Sequence, residues 1–430
     1  MKEPTTKEPG IVGRGNAAGA TLVRNWFAEL DRAAEAGEGS AYVFVMGSFV
    51  EILRCFDLPI VFPEINSIQT AVRHVAHEYL DAAEDYGYSP DICGYVKADV
   101  AVQLNGGKHT MGRIPKPIVT VLTNACNTYL KWGEIWERMH DTAVVTIDVP
   151  GTRGAEPPSA RGSAEFERDR QYIETQIREL ITACEKATGK KFDIERLRET
   201  MGYSNIMSAA WKRILELNAS SPAVFNALSD GTVYLGVANG FRGTEEGARY
   251  FTDLVEELEY KAQEGIGTIT EDTYRLAFVG VPCYPIFRRF TELFTEWGGS
   301  FVCSTYLWFA SGGSNVGFQF DLDNPIESLS EGTLVSVRDA MDSMFHNDRV
   351  LESMIKEFNL DGIVYHPIKS CRTVSTGMAD ARRALHDKTG IPSLFIESDM
   401  MDRRVVSEAQ MKNRADAFFE GLAARRTRSK

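Results

Sequence analysis

The sequence predicts an α/β fold, with two doubly wound (Rossmann- or flavodoxin-like) domains facing a cleft and joined by a helical segment. Three observations predict it. Short apolar runs recur in two sets, AYVFVM, LPIVFPE, PIVTVL and AVVTIDVP, and later RLAFVGVP, SFVCSTYLWF, DGIVYHPI and PSLFIESD. Runs of this length alternating with helical stretches belong to parallel sheets covered on both faces. Between the sets, from about Glu165 to Gly265, apolar residues recur at helical period. Finally, 430 residues with 43% hydrophobic and 25% charged content suffice for roughly two to three domains with their own cores.

In chain order, residues 1–40 read as a Gly-rich mobile arm followed by the amphipathic helix GNAAGATLVRNWFAELDRAAEAGEG. Residues 41–164 form the first α/β domain, carrying the first four strand runs. The stretch GTRGAEPPSARGS, rich in Gly, Pro and Ser, breaks the pattern and leads into the helical linking segment 165–268. Residues 269–430 form the second α/β domain with the remaining four strands.

A net charge of −13 speaks against a nucleic-acid partner, because a phosphate backbone needs a basic face to displace its counterions. No apolar run reaches the roughly 20 residues that span a bilayer, and MKEPTTKEPG has no apolar signal core, so no membrane partner and a cytoplasmic location are expected. GRGNAAG is not preceded by a strand, which speaks against a dinucleotide loop, and NGGKHT lacks the first P-loop glycine. Any ATP the protein uses is therefore hydrolysed by another chain.

Seven cysteines are too few for a disulfide scaffold. Cys55, Cys184 and Cys303 lie where a small apolar residue would serve, and Cys283 in VGVPCYP, with no partner in register, stays open between site lining and core. Cys93, Cys126 and Cys371 share a different context. Each is read at a strand-to-helix junction, opening a helix after a turn or a β-rich run. Such junctions line one edge of an open α/β sheet, where helix N-termini favour thiolates, so distant cysteines can converge there. Spacing alone does not separate iron from zinc, or a site from three unrelated thiols.

The strings DAAEDYGYSPDICGYVKADVA, TNACNTYLKWGE, FVGVPCYP, HPIKSCRTVSTG and FIESDMMDRRVVSEAQMKNRADAFFEGL resemble, in order and over almost the whole chain, the 2-hydroxyacyl-CoA dehydratase and class I benzoyl-CoA reductase family. Cys93, Cys126 and Cys371 match that family's cluster ligands, so the resemblance implies a 4Fe–4S cluster. FPEINSIQ, FIESDMMDRR, CFDL, YVKAD, IKSC, FRGT and MKNR resemble the B-type iron–sulfur subunit of the ATP-dependent benzoyl-CoA reductases, whereas DICGY and GVPCYP resemble the dehydratases. Asp402-Arg403 replaces an Asp-Pro that both branches often show.

The implied function is delivery of low-potential single electrons to an aromatic acyl-CoA thioester in anaerobic aromatic degradation. The alternatives are a (R)-2-hydroxyacyl-CoA dehydratase subunit working through a ketyl radical, and an electron-relay subunit without a substrate site. The implied partners are a homologous iron–sulfur sister subunit, an ATP-hydrolysing activator with its own cluster, reduced ferredoxin upstream, and the acyl-CoA substrate. Three thiolates leave one iron of a cubane open to water or a substrate oxygen.

Further candidates surround the cysteines. Glu64, after a strand and in a family acidic position, is read as a substrate or proton-path contact, or else as a solvated loop carboxylate. Ser48 faces the cluster or caps the next helix, and His366, five residues before Cys371, is read as a proton donor or as a hydrogen-bonded structural histidine. Lys369 and Ser370 tune the cluster or lie exposed on a turn, while Glu397 and Asp399 bind a partner or substrate.

Overall fold

The computed structural model describes residues 10–151, 158–270, 273–345 and 347–428. The mobile-arm reading and much of the Gly/Pro/Ser break therefore fall on positions 1–9 and 152–157, outside the described residues. Among the described residues, no helix is long and apolar enough to cross a membrane.

The fold is α/β with two parallel sheets. Strands β1 (Ser40–Val43), β2 (Ile60–Val61), β5 (Pro117–Thr123) and β6 (Ala143–Ile147) form the first, in the order β2-β1-β5-β6. A short antiparallel hairpin, β3 (Lys108–His109) with β4 (Gly112–Arg113), is inserted between β2 and β5; its two-residue strands are too short to show a period in the sequence. Strands β7 (Tyr274–Gly280), β8 (Gly299–Ser304), β9 (Gly362–His366) and β10 (Ser393–Phe395) form the second sheet, in the order β10-β9-β7-β8. The first sheet's order is 2-1-3-4 in its own sequence, and the second's is 4-3-1-2. Each therefore has a topological switch between its first and third strands, and the crevice outside the carboxyl ends of those strands is where such sheets bind ligands.

The strands form where they do because their apolar runs are buried: β1, β7, β8 and β9 hold no exposed position. Between the sheets the chain runs through helices Ala164–Thr188, Ile194–Leu217, Ser229–Gly240 and Glu245–Gln263, and an N-terminal helix, Arg14–Glu35, packs on the last two. The Gly-rich start of that N-terminal helix binds a protein carboxylate, since the Gly13 and Gly15 amides donate to Glu257 at 2.6 Å each. A side chain on Gly15 would meet Leu254 at 2.4 Å, so the close approach requires glycine.

Three local expectations change. Cys93 follows the helix Ala76–Tyr86, which ends at left-handed Gly87, so its junction is helix-to-helix. Glu64 to Gln69 is not a loop: Pro63 at the first helical position opens the helix Pro63–Val72. The run after Ser304 is helical (Thr305–Ala310) because the Ser304 hydroxyl accepts the Leu307 amide at 3.1 Å, ending β8.

Candidate metal centre

Cys93, Cys126 and Cys371 are the N-caps of the helices Gly94–Leu104, Asn127–Met139 and Arg372–Ser375. Cys126 follows β5 and Cys371 follows β9, the third strand of each sheet, so both stand beside a switch point. The two sheets' edges meet at these residues. The Cys126 thiol lies 3.7 Å from the Thr373 hydroxyl, and a side chain on Gly94 would touch Met401 and Ser370. A cavity of about 1090 Å³ opens there, lined by Cys93, by Ala125 and Asn127 on either side of Cys126, and by Ser370 and Arg372 on either side of Cys371.

The three thiols sense one another electrostatically. Burial, with the Cys371 and Cys126 thiols adding to it, pushes the Cys93 thiol well above its ordinary range. Burial likewise pushes Cys371 up to about 11, with Cys126, Asp399 and Glu64 adding to it. The three side chains are half-buried, and a soft thiolate set of this kind suits iron or zinc. Among the described residues, no three such side chains stand grouped as around a single metal ion. The donor chemistry fits a metal group, and the three helix N-termini add partial positive charge where its anionic ligands lie.

Buried polar contacts fix the thiols relative to one another. Asp99, on the helix Cys93 caps, accepts the indole N–H of both Trp132 and Trp136 at 2.7 Å each, and those tryptophans lie one turn apart on the helix Cys126 caps. Lys97, 1% exposed, donates at 2.8 Å to Glu84 and to the Pro90 carbonyl, tying the same helix to the segment before Cys93. Asp399, buried after β10, accepts the amides of Ser370 (2.8 Å), Met401 (2.8 Å) and Asp402 (3.0 Å), which anchors the Cys371 loop. Asp99→Asn should therefore cost about 1–3 kcal/mol, because an amide oxygen that keeps both indoles turns its NH2 toward the Gln103 side-chain amide, which donates to the other carboxylate oxygen at 2.9 Å. A lower denaturation midpoint with reduced metal retention is the expected result.

The structure draws Glu64 into the site and leaves other candidates apart. Glu64 is 7% exposed, not solvated: it accepts the Val45 amide at 2.8 Å and the Tyr129 hydroxyl at 2.7 Å. Burial pushes its carboxyl up to about 7 against those two hydrogen bonds. Tyr95, Tyr129 and Tyr306 crowd around it; Tyr129 stacks on Phe44 at 3.8 Å, and Tyr284 reaches Tyr306 at 3.5 Å. Sequence reasoning missed these phenols because tyrosines in apolar runs carry no signal of what they face.

Ser48 is buried after β1 and lines a second, smaller cavity; the helix Val50–Arg54 takes left-handed Phe49, not Ser48, as its N-cap. Gly47 lets this loop pass β5, since a side chain there would meet Thr123 at 2.4 Å. His366 is fully buried, bonded to the Val281 carbonyl at 2.6 Å and the Ser398 hydroxyl at 2.5 Å, and it does not line the large cavity. Burial holds its imidazole down at about 4, so it is neutral near pH 7. Ser398 in turn contacts buried Cys283 at 3.5 Å, which sets Cys283 beside His366. Lys369 and Glu397 are exposed.

Comparison with known proteins gives the chain's family. The family profile described as 2-hydroxyglutaryl-CoA dehydratase, D-component, matches residues 48–422. The B-type subunit of benzoyl-CoA reductase from Thauera aromatica is 31% identical over 404 residues, 91% of each chain. The alpha subunits of (R)-2-hydroxyisocaproyl-CoA dehydratase from Clostridioides difficile and (R)-phenyllactyl-CoA dehydratase from Clostridium sporogenes are each 27% identical, over 87% of this chain and 88% of theirs. All three relatives are named as subunits of enzymes. The profile match and the 31% identity together place this chain in the 2-hydroxyglutaryl-CoA dehydratase D-component family.

Proposed function

We propose that the chain is a cytoplasmic iron–sulfur subunit of an ATP-dependent reductase of aromatic acyl-CoA thioesters, paired with a homologous sister subunit. A separate ATP-hydrolysing protein with its own cluster supplies its electrons from reduced ferredoxin. In this reading residues 41–164 and 269–430 are the two α/β domains that close on the site. The observation that carries it is the convergence of Cys93, Cys126 and Cys371 with buried Glu64 where the two sheets' edges meet. The 31% identity to a benzoyl-CoA reductase chain supports the reductase branch.

Cys93, Cys126 and Cys371 would hold a 4Fe–4S cluster, which supplies single electrons at very low potential. The remaining work falls to the chain's own groups. Glu64, near 7, can hold a proton at neutral pH and release it to an acyl group that gains negative charge. Tyr129 and the Val45 amide fix that carboxyl's direction.

Val45 also lines the smaller cavity, of about 150 Å³, which is walled by Trp211, Phe251, Phe309, Phe318 and Phe320. A void of roughly that size accommodates benzene, so it suits one aromatic ring, with Val45, whose amide Glu64 accepts, in its wall. Filling it with Ala238→Phe should lower kcat/KM for benzoyl-CoA at least tenfold, about 1.4 kcal/mol, with unchanged iron content.

The dehydratase reading draws on the two relatives at 27% identity. An anaerobic assay with the sister subunit and the ATPase separates the two. Benzoyl-CoA consumed with stoichiometric ATP and reductant supports the reductase; turnover of a 2-hydroxyacyl-CoA on catalytic ATP without net electrons supports the lyase. A pure electron relay would show substrate perturbing only the sister subunit's cluster.

A further inference from the structure

Ser370 carries a buried hydroxyl that the site leaves without a partner. The residue is 8% exposed and lines the large cavity one position before Cys371. Its backbone is pinned, because its amide donates to Asp399 at 2.8 Å, yet its buried Oγ makes no hydrogen bond. A serine on such a turn ordinarily bonds back to a nearby backbone group. Ser375 in the same loop does so, accepting the Ile368 amide at 2.7 Å and donating to the Ile368 carbonyl at 3.0 Å. The Ser370 hydroxyl faces instead the start of the helix that Cys93 caps, since a side chain on Gly94 would lie 3.5 Å from it. It therefore lies beside the helix start next to Cys93 and on the loop that carries Cys371.

A buried hydroxyl with no partner destabilises the fold, because the hydrogen bonds it made with water are not replaced. Asp399 fixes the loop through three backbone amides, and none of those bonds depends on a hydroxyl at position 370. An alanine would satisfy the fold better, unless something that occupies the site accepts a hydrogen bond.

We infer that the Ser370 hydroxyl donates a hydrogen bond to a sulfur of the group held by Cys93, Cys126 and Cys371, and thereby sets its reduction potential. This rests on the cluster reading above. Ser370 is a positioning residue and not a ligand. A donor aimed at sulfur stabilises the negative charge that arrives with the electron, so it raises the potential and eases reduction. No proton is transferred and no bond to iron forms.

The test compares the parent, Ser370→Ala and Ser370→Thr in two forms of the full-length protein. In the anaerobic complex with its sister subunit, a redox titration followed by electron paramagnetic resonance should show Ser370→Ala with unchanged iron but a lower potential. Its reduced-to-oxidised ratio at the parent's midpoint should fall about tenfold, equivalent to about 59 mV for one electron. Ser370→Thr, which keeps the hydroxyl, should return toward the parent. In the metal-free chain, Ser370→Ala should melt higher than the parent, because the orphaned hydroxyl is gone.

An unshifted potential in an iron-loaded Ser370→Ala complex overturns this inference and leaves the cluster reading standing. So does a metal-free Ser370→Ala chain that melts lower than the parent, since the hydroxyl then has a partner within the fold. A parent complex without iron overturns both readings.

Discussion

Replacing Cys93, Cys126 or Cys371 by Ser is expected to abolish iron binding and acyl-CoA turnover together, whereas Cys55→Ala, Cys184→Ala and Cys303→Ala should retain both. The hydroxyl has the wrong softness for iron at these three helix caps. Cys55 and Cys184 are buried in the core around the first sheet and Cys303 in a core cluster against β7 and β9, so alanine costs them packing and, at Cys55, a weak thiol hydrogen bond to the Glu51 carbonyl. Iron and acid-labile sulfide on anaerobically purified variants decide the matter. Full iron in Cys126→Ser would sink the assignment.

Glu64→Gln should lower kcat by at least about 100-fold while leaving iron content intact, the usual scale for a lost general acid. The pH profile supplies the sharper signature. Burial lifts Glu64 to about 7, so activity that requires the protonated carboxyl falls as pH rises through about 7, and Gln, which cannot ionise, should lose that limb. The Tyr129 hydroxyl stabilises the carboxylate, so Tyr129→Phe should move the limb to higher pH. The same linkage has a stability side. Folding with Glu64 buried is unpenalised below about pH 4.5, loses stability as pH rises from there through about 7, and is flatter in the Gln variant. A limb that persists unchanged in Glu64→Gln would remove Glu64 from proton transfer.

Most strands were legible because their apolar runs are buried in parallel sheets, and each run marked in the sequence overlaps a strand, including half-exposed β6. Cys126 and Cys371 were legible as junction residues because a strand pattern visibly gives way to a helical one. Cys93 was placed correctly at a helix start but after the wrong element, since the turn YGYSP follows a helix and not a strand. Two local signals went unread: Pro63 at a helix start and Ser304 as an N-cap.

What sequence could not convey was tertiary. Glu64 was taken equally as a solvated carboxylate because nothing local shows Val45, Tyr129, Tyr95 and Tyr306 closing over it. His366, close to Cys371 along the chain, is held in the core by Val281 and Ser398. Ser370 and Asp399 gained their roles only when β9 and β10 were seen side by side, with Ile368 bridged to Ser398.

Anaerobic electron paramagnetic resonance, with iron and sulfide counts, on the full chain purified with its sister subunit tests most directly whether the three cysteines hold a cluster. About four iron and four sulfide per chain are expected, and Cys126→Ser should lose about four iron per complex together with this chain's share of the reduced 4Fe–4S signal, leaving only the sister subunit's. A folded, active chain that contains zinc or no metal at Cys93, Cys126 and Cys371 would contradict the cluster assignment.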